Sequence, residues 1–327
     1  MSTFLLTAIT MLAFAANSLL CRLALAEGLI DAGSFTLVRL ISGAITLIAL
    51  LVVRGQWKID RPTSRFRFFA GVALFGYAAL FSFAYLQLAT GTGALLLFGA
   101  VQLTLLAIYW WQGERFQFLE IIGIGLSIVG FVWLMLPSAT RPDISSALLM
   151  LISGVCWAAF TALGKQAPSP SSGITWGFIA ASIIGILLSP LMLSSIYLSL
   201  SGILLAITSG AIASGLGYTL WYQVMRKLSL LQAAVSQLSV PAIALLLGTV
   251  VLHEPLSLHT LLTSGIILGG IALVFFISIQ KNKRTIGKPI KNNNFPSQIP
   301  IHHLCFLKQQ SSSQMVRVAC FSIRRRI

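Results

Sequence analysis

Ten apolar runs divide this chain, each long enough to cross a bilayer as a helix, at about 4–25, 34–53, 67–88, 91–111, 119–137, 145–164, 173–197, 203–223, 231–252 and 258–280. A helix rising 1.5 Å per residue traverses the hydrocarbon core in roughly 17–25 residues. No water reaches that core, so backbone N–H and C=O groups must bond within their own segment, which a helix achieves and an open strand does not. Composition agrees: 57% of the 327 residues are hydrophobic and only 9% are charged. The ten-residue alternation of a membrane barrel is missing. The short connections make consecutive helices antiparallel neighbours, so an all-α integral membrane protein is expected.

The net charge of +15 could point to nucleic acid, but its distribution argues against that partner. The basic residues collect in the loop 54–67 (Arg54, Lys58, Arg61, Arg65, Arg67), at Arg115, Lys165, Arg226 and Lys227, and after Gln280. If ten spans alternate, all of these fall on one side, while the other side carries only Arg141. The Lys/Arg-rich side is cytoplasmic by the positive-inside rule, which puts both termini there. Ala24-Leu25-Ala26 resembles a signal cleavage site, but no basic residue precedes the apolar stretch, so the first span is expected to stay. Cys21, Cys156, Cys305 and Cys320 form neither a disulfide framework nor a metal-ligand spacing.

The chain also repeats itself. "GERFQFLEIIGIGLSIVG" (113–130) aligns with "HEPLSLHTLLTSGIILGG" (253–270), pairing Glu114 with Glu254 and Gly130 with Gly270. At the same offset Phe81 meets Trp221, and at a slightly larger one Phe14, Ser18 and Arg22 meet Trp157, Thr161 and Lys165. Five spans per copy is an odd number, so the second copy enters the membrane from the opposite side. Inverted repeats characterise carriers, because two halves related by a pseudo-two-fold can rock about a site at the midplane. The expected organisation is a first repeat at 1–140, a second at 141–280 and a basic tail at 281–327.

These residues resemble the EamA-type ten-span carriers of the drug/metabolite transporter superfamily. The likeness rests on "WAAFTALGK" (157–165) at the start of a half and "FTLVRLISGA" (35–44) in span two. A Pro-bearing span nine, "SQLSVPAIALLLGTVVLHEPLS" (236–257), and a Gly-rich last span in each half complete it. The resemblance covers about 5–278. It implies a secondary transporter of the bacterial inner membrane that exports or exchanges amino acids or similar metabolites by alternating access. Drug efflux, or a non-transporting receptor or scaffold, is the alternative. A small-molecule substrate is the expected partner, with a homodimer left open and no cofactor or metal foreseen.

Arg39 is the charge to explain. It lies about 7 Å into its span, and side chains lean toward their helix N-terminus. One reading is an anchor that snorkels outward and pairs with Glu27 or Asp31. The other is a cavity residue whose guanidinium fork holds a substrate carboxylate. Arg22, whose repeat partner Lys165 sits at a helix end, reads as a helix-end charge.

Other pathway candidates are Asn17, Gln102, Trp157, Tyr218, Trp221 and Gln237. Ser214, Tyr218, Trp221 and Tyr222 share one helical face, as do Tyr77, Phe81 and Tyr85, and the repeat sets these two faces opposite each other. Tyr85 and Tyr222, near span ends, read as interfacial-belt aromatics. Asn17, Gln102, Ser236, Gln237 and Ser239 are polar at depth, and any one of them could serve interhelical bonding alone. Pro241 removes a helical hydrogen bond and is a hinge candidate.

What is missing narrows the chemistry. The seven acids include none deep in a span, so a carboxylate proton relay has no evident member. His253 and His259 stand six apart across Pro255, whereas the helical zinc motif needs four. No catalytic set sits at a common depth, so an enzyme is not expected. Gly91-Thr-Gly93 and Gly123-Ile-Gly125 lack the strand-turn-helix setting of a nucleotide loop.

The segment 281–327 carries ten Lys/Arg and no acid, and it lacks sustained periodicity. It is expected to be disordered and to rest on anionic headgroups, which attract basic residues by about 1 kcal/mol each. A chain truncated after residue 280 should fold and transport as the full chain does. Loss of both functions in that truncation, assayed by size-exclusion profile and solute flux, would overturn this view.

Overall fold

The computed structural model describes residues 3–55, 61–111, 117–135, 142–164, 167–193, 196–225 and 236–286. The helices are α1 (Thr3–Ala26), α2 (Ala32–Val53), α3 (Ser64–Ala84), α4 (Thr90–Trp111), α5 (Phe118–Met135), α6 (Ile144–Gly164) and α7 (Pro170–Met192). Then α8 (Leu200–Thr208) runs through a π-helical stretch (Ser209–Leu216) into α9 (Gly217–Met225), followed by α10 (Ser239–Leu252) and α11 (Leu258–Ile286). Each of the ten apolar runs therefore carries a helix, with α8, the π stretch and α9 together making the eighth span. Seven of these helical stretches are long and apolar enough to cross a membrane on length and composition. The chain is an all-α, multi-pass membrane protein. Of the segment expected to be a disordered tail, residues 281–286 continue the last helix, and the rest falls outside the described residues.

Polar side chains mark where several helices begin. Asp31 accepts from the Ser34 N–H, Thr63 from that of Phe66, Ser169 from that of Ser172 and Ser199 from that of Gly202. Each satisfies one of the amide groups that a first turn leaves without an intrahelical acceptor. The π stretch was not anticipated. Its sequence, Ser-Gly-Ala-Ile-Ala-Ser-Gly-Leu, has little side-chain bulk to hold the tighter α spacing.

The two halves interleave. α3 packs against α6 and α7, α4 against α6 and α10, α2 against α7 and the π stretch, and α1 against α9 and α10. Small residues bring these backbones together, as lipid-embedded helices require. A Cβ on Gly210 would press on the Arg39 carbonyl, and one on Gly91 on the Leu245 backbone. Ser153 donates to the Tyr77 carbonyl (2.9 Å), joining α6 to α3. Thr36 donates to the Ser82 hydroxyl (2.9 Å), joining α2 to α3.

α5 and α11 pack as a pair. A Cβ on Gly123 would lie 2.6 Å from the Gly270 carbonyl oxygen, and one on Gly270 would lie 2.5 Å from that of Gly123. Ser127 adds a bond to the Ile267 carbonyl (3.2 Å). Gly125 faces open space. Gly123→Ala should therefore cost about 1–3 kcal/mol through overpacking, seen as a lowered Tm in detergent, while Gly125→Ala is neutral or slightly stabilising. Equal behaviour of the two would refute this packing.

Candidate functional site

The polar centre forms where α1, α2, α3 and the eighth span meet. Arg39, on the third turn of α2, is 1% exposed. Its Nη2 donates to the Tyr77 hydroxyl (2.9 Å) and to the Tyr218 hydroxyl (3.4 Å), and its Nε donates to Ser214 (3.2 Å). The guanidinium also lies over the Tyr77 and Phe81 rings, 5.1 and 5.0 Å from their centroids. Among the described residues Nη1 has no hydrogen-bond partner.

The outward-snorkelling reading of Arg39 is therefore corrected. Asp31 is committed elsewhere: its carboxylate accepts from the Ser34 N–H (2.8 Å) and the Tyr197 N–H (3.2 Å). The π stretch makes the alternative possible. With only hydrogen at Gly210, the eighth span lies directly against the Arg39 turn, and Ser214 comes within reach of the guanidinium. π segments recur at functional positions because they re-aim side chains within a helix.

Asn17 ties the cluster together. Its Nδ2 donates to the Tyr77 hydroxyl (3.3 Å), while its Oδ1 accepts from Ser209 (2.7 Å) and Ser214 (3.5 Å). The Tyr77 and Tyr218 hydroxyls are 3.3 Å apart, so the aromatic faces that the repeat sets opposite each other do meet. Trp157 from α6 stacks at an angle on both rings, with centroids at 4.9 and 4.7 Å. Phe14 bridges Tyr218 and Trp221, each at 5.7 Å.

These groups surround a cavity of about 10 Å³, room for one water molecule. Asn17, Ser18, Tyr77 and Tyr218 supply its polar wall, and Phe14, Phe81, Leu97, Phe98 and Trp157 the apolar one. Asn17, Trp157 and Tyr218 thus line the cavity, Arg39 stands behind its polar wall, and Trp221 packs behind Phe14. Gln102 is buried on α4 with its amide Nε2 unpartnered among the described residues, but it does not line the cavity. Gln237 is half-buried just before α10, also away from it. Pro241 sits in the first turn of α10, three residues beyond a turn at Leu238, where its ring removes the bond to the Gln237 carbonyl. Ser214 lies on the face read from the sequence with Tyr218 and Trp221, whereas Ser209 and Ser18 were missed as site residues. Serines are common in membrane helices; the π stretch picks out Ser209, and nothing local picks out Ser18 on α1.

One end of the bundle is tied between the halves at two places. Glu254, in the α10–α11 loop, accepts from the Thr90 N–H (2.9 and 2.8 Å) and the Thr90 hydroxyl (3.1 Å), placing an anion on the N-terminus of α4. Arg22 stands 3.5 Å from that carboxylate and donates to the Tyr85 and Leu86 carbonyls, both at 2.9 Å. Arg22 is thus a helix-end charge with three fixed partners. Tyr85 is fully buried rather than in an interfacial belt, donating to the Thr90 carbonyl (3.2 Å). The Tyr222 side chain lies outside the described residues. At the second tie, Ile30 and Leu198 form an antiparallel bridge, and Ser199 donates to the Leu29 carbonyl (2.6 Å).

A helical membrane bundle with interleaved halves around a central polar cavity is the architecture of a carrier. The profile of the EamA-like transporter family matches residues 1–136 and 144–276, and the chain belongs to that family. It is accordingly a multi-pass membrane transporter of small molecules. An uncharacterized protein of Pseudomonas aeruginosa is 45% identical over 274 residues, 83% of this chain and 94% of that relative. An uncharacterized transporter of Archaeoglobus fulgidus is 30% identical over 241 residues, 71% of this chain and 84% of its own. A crystal structure of a protein 20% identical covers 84% of this chain and 97% of its own at a TM-score of 0.60, and it shares the fold.

Tyr77 carries the test of this centre. Tyr77→Phe removes the acceptor of both Arg39 and Asn17 and leaves buried donors unpaired, which should cost about 1–3 kcal/mol as a drop in detergent Tm. Tyr197→Phe, at an exposed side chain, is the control and should leave Tm unchanged. Equal Tm in the two variants would mean that the cluster does not hold Arg39.

Proposed function

We propose that this chain is an alternating-access carrier that exports or exchanges amino acids or similar small metabolites across a bacterial inner membrane. The observation that carries the reading is the Tyr77–Tyr218 contact: two tyrosines from opposite repeats meet at a polar centre beside a contracted cavity. Metabolite sites occupy about 300–1,000 Å³, so a cavity of about 10 Å³ fits a substrate-free state that must open to load. The two ties at one end support gating, because they join loops of the first repeat to loops of the second. The basic loops favour cytoplasmic termini, which would make the tied end the outer one. Pro241 is the hinge candidate for the movement, and Arg39, Asn17, Trp157, Tyr218 and Trp221 are the pathway residues best supported by this geometry.

Counterflow in liposomes tests this. Vesicles loaded with unlabelled amino acids and related acids would be offered labelled solute outside, one compound at a time. Accumulation is expected for at least one compound, reduced about tenfold by Trp157→Ala and unchanged by Gln237→Ala. Absence of counterflow across a broad panel, with folded protein, would reject the carrier reading.

A further inference from the structure

Resting on the carrier part of that reading, and narrowing its substrates from amino acids to the other small metabolites it names, we infer that the site takes an organic monocarboxylate with an apolar body of aromatic size, and discriminates against the zwitterionic amino acid of the same shape. The argument begins with what Arg39 does to its neighbours. A guanidinium only donates. Tyr77 and Tyr218 accept from it through their oxygen lone pairs; Tyr218 passes its proton to the Tyr77 hydroxyl, and Tyr77, which accepts from Arg39, Asn17 and Tyr218, is left with its own proton to give. Asn17 is turned in the same sense. Its oxygen is taken by Ser209 and Ser214, which leaves its amide hydrogens for Tyr77 and the cavity. The polar wall therefore offers donors and needs an acceptor.

Charge points the same way. Arg39 carries a full positive charge in the membrane interior, and every partner it has is a neutral hydroxyl or an aromatic face. Its Nη1 is buried and unpartnered. No carboxylate among the described residues lines the cavity. Glu254 is held by Arg22 and Thr90, and Glu120 by the Gln117 N–H. A buried cation without a counter-ion is costly, and an anion from the substrate would offset it with charge-assisted bonds.

A substrate ammonium would meet the opposite situation. It would be desolvated near Arg39 with the Ser18 hydroxyl as its main acceptor on the cavity wall, and one hydroxyl does not compensate a buried cation. The remaining wall is hydrocarbon and aromatic, from Phe14, Phe81, Leu97, Phe98 and Trp157. It suits a ring or branched chain; its ring faces could attract a cation, but the full positive charge of Arg39 beside them opposes a second one.

Four ligands on one phenyl body test the inference: 3-phenylpropanoate, its methyl ester, phenylalanine and phenethylamine. Binding to the full-length protein in detergent would be read from tryptophan fluorescence, since Trp157 and Trp221 lie at the site. The acid is expected to bind at least about tenfold more tightly than the ester, the zwitterion or the amine. Arg39→Gln should bring acid and ester to equal affinity. The ester comparison needs no variant, so the test stands even if Arg39→Gln fails to fold. Tyr218→Phe, which keeps the ring, should weaken the acid several-fold and leave the ester unchanged. Equal or tighter binding of phenylalanine or the ester, or an acid preference that survives in folded Arg39→Gln, would overturn the inference. So would failure of all four ligands to bind in a protein that shows counterflow of other solutes, and that result would leave the carrier reading intact. Absence of counterflow for every solute would instead strike the carrier reading itself.

Discussion

A single buried cation organises the centre of this protein. Arg39 is 1% exposed with no carboxylate bound to it, and burial of an unpaired charge is among the largest penalties a fold can carry. The structure meets it with hydroxyl and amide groups drawn from α1, α3 and the eighth span, plus two ring faces. Those groups come from both segments that match the family, 1–136 and 144–276, so the arrangement that tolerates Arg39 is the same one that locks the two segments together. Remove the small residues of the π stretch and Ser214 could not approach. Without Ser214 and Tyr218, the second repeat would contribute nothing to the guanidinium.

Small residues are the second requirement. Lipid gives no hydrophobic drive for helix association, so contact must come from close backbone approach and interhelical bonds. Gly43 and Gly210 bring α2 onto the eighth span, Gly91 brings α4 onto α10, and Gly123 and Gly270 bring α5 onto α11. The bonds that cross between helices, such as Ser153 to the Tyr77 carbonyl, follow from that closeness. A larger side chain at Gly210, against the Arg39 turn, would separate the helices by several tenths of an ångström or more, enough to break a hydrogen bond at the centre.

Much of this was legible in the sequence, for a physical reason. A bilayer imposes a length and a polarity on every span, so the ten helices could be read directly from ten apolar runs. The internal repeat set Tyr77 and Phe81 opposite Tyr218 and Trp221, and this pairing anticipated the centre's main contact. Arg39 was visible as an anomaly, but its direction was not. The rule that side chains lean toward the helix N-terminus favoured the loop acids, and only the π stretch, which has no hydrophobic signature, reveals Ser214 and Tyr218 as partners. Tyr85 was misjudged because nearness to a span end says nothing about what the next loop folds over it; here Glu254, 164 residues beyond Thr90, caps α4 beside it. Gln102 and Gln237 are polar residues in spans like Asn17, and no local feature separates the one that reaches the cavity from the two that do not.

The same geometry links the centre to the tied end. α1 carries Phe14, Asn17 and Ser18 at the cavity and, one turn further on, Arg22 at the Glu254 tie. α3 carries Tyr77 and Phe81 at the cavity and ends at Tyr85 and Leu86, whose carbonyls Arg22 holds. The rings of Phe81 and Tyr85 stack edge to face at 4.7 Å, so the wall of the cavity leans on the residue that the tie fixes. A ligand that spread Tyr77 and Phe81 would push on Tyr85, and Tyr85 is bonded to the same residue, Thr90, that Glu254 caps. Loading the cavity and keeping the tie intact are thus mechanically opposed demands on α3. A carrier needs such an opposition, because it must not stay closed over an enlarged site and remain indifferent to its contents.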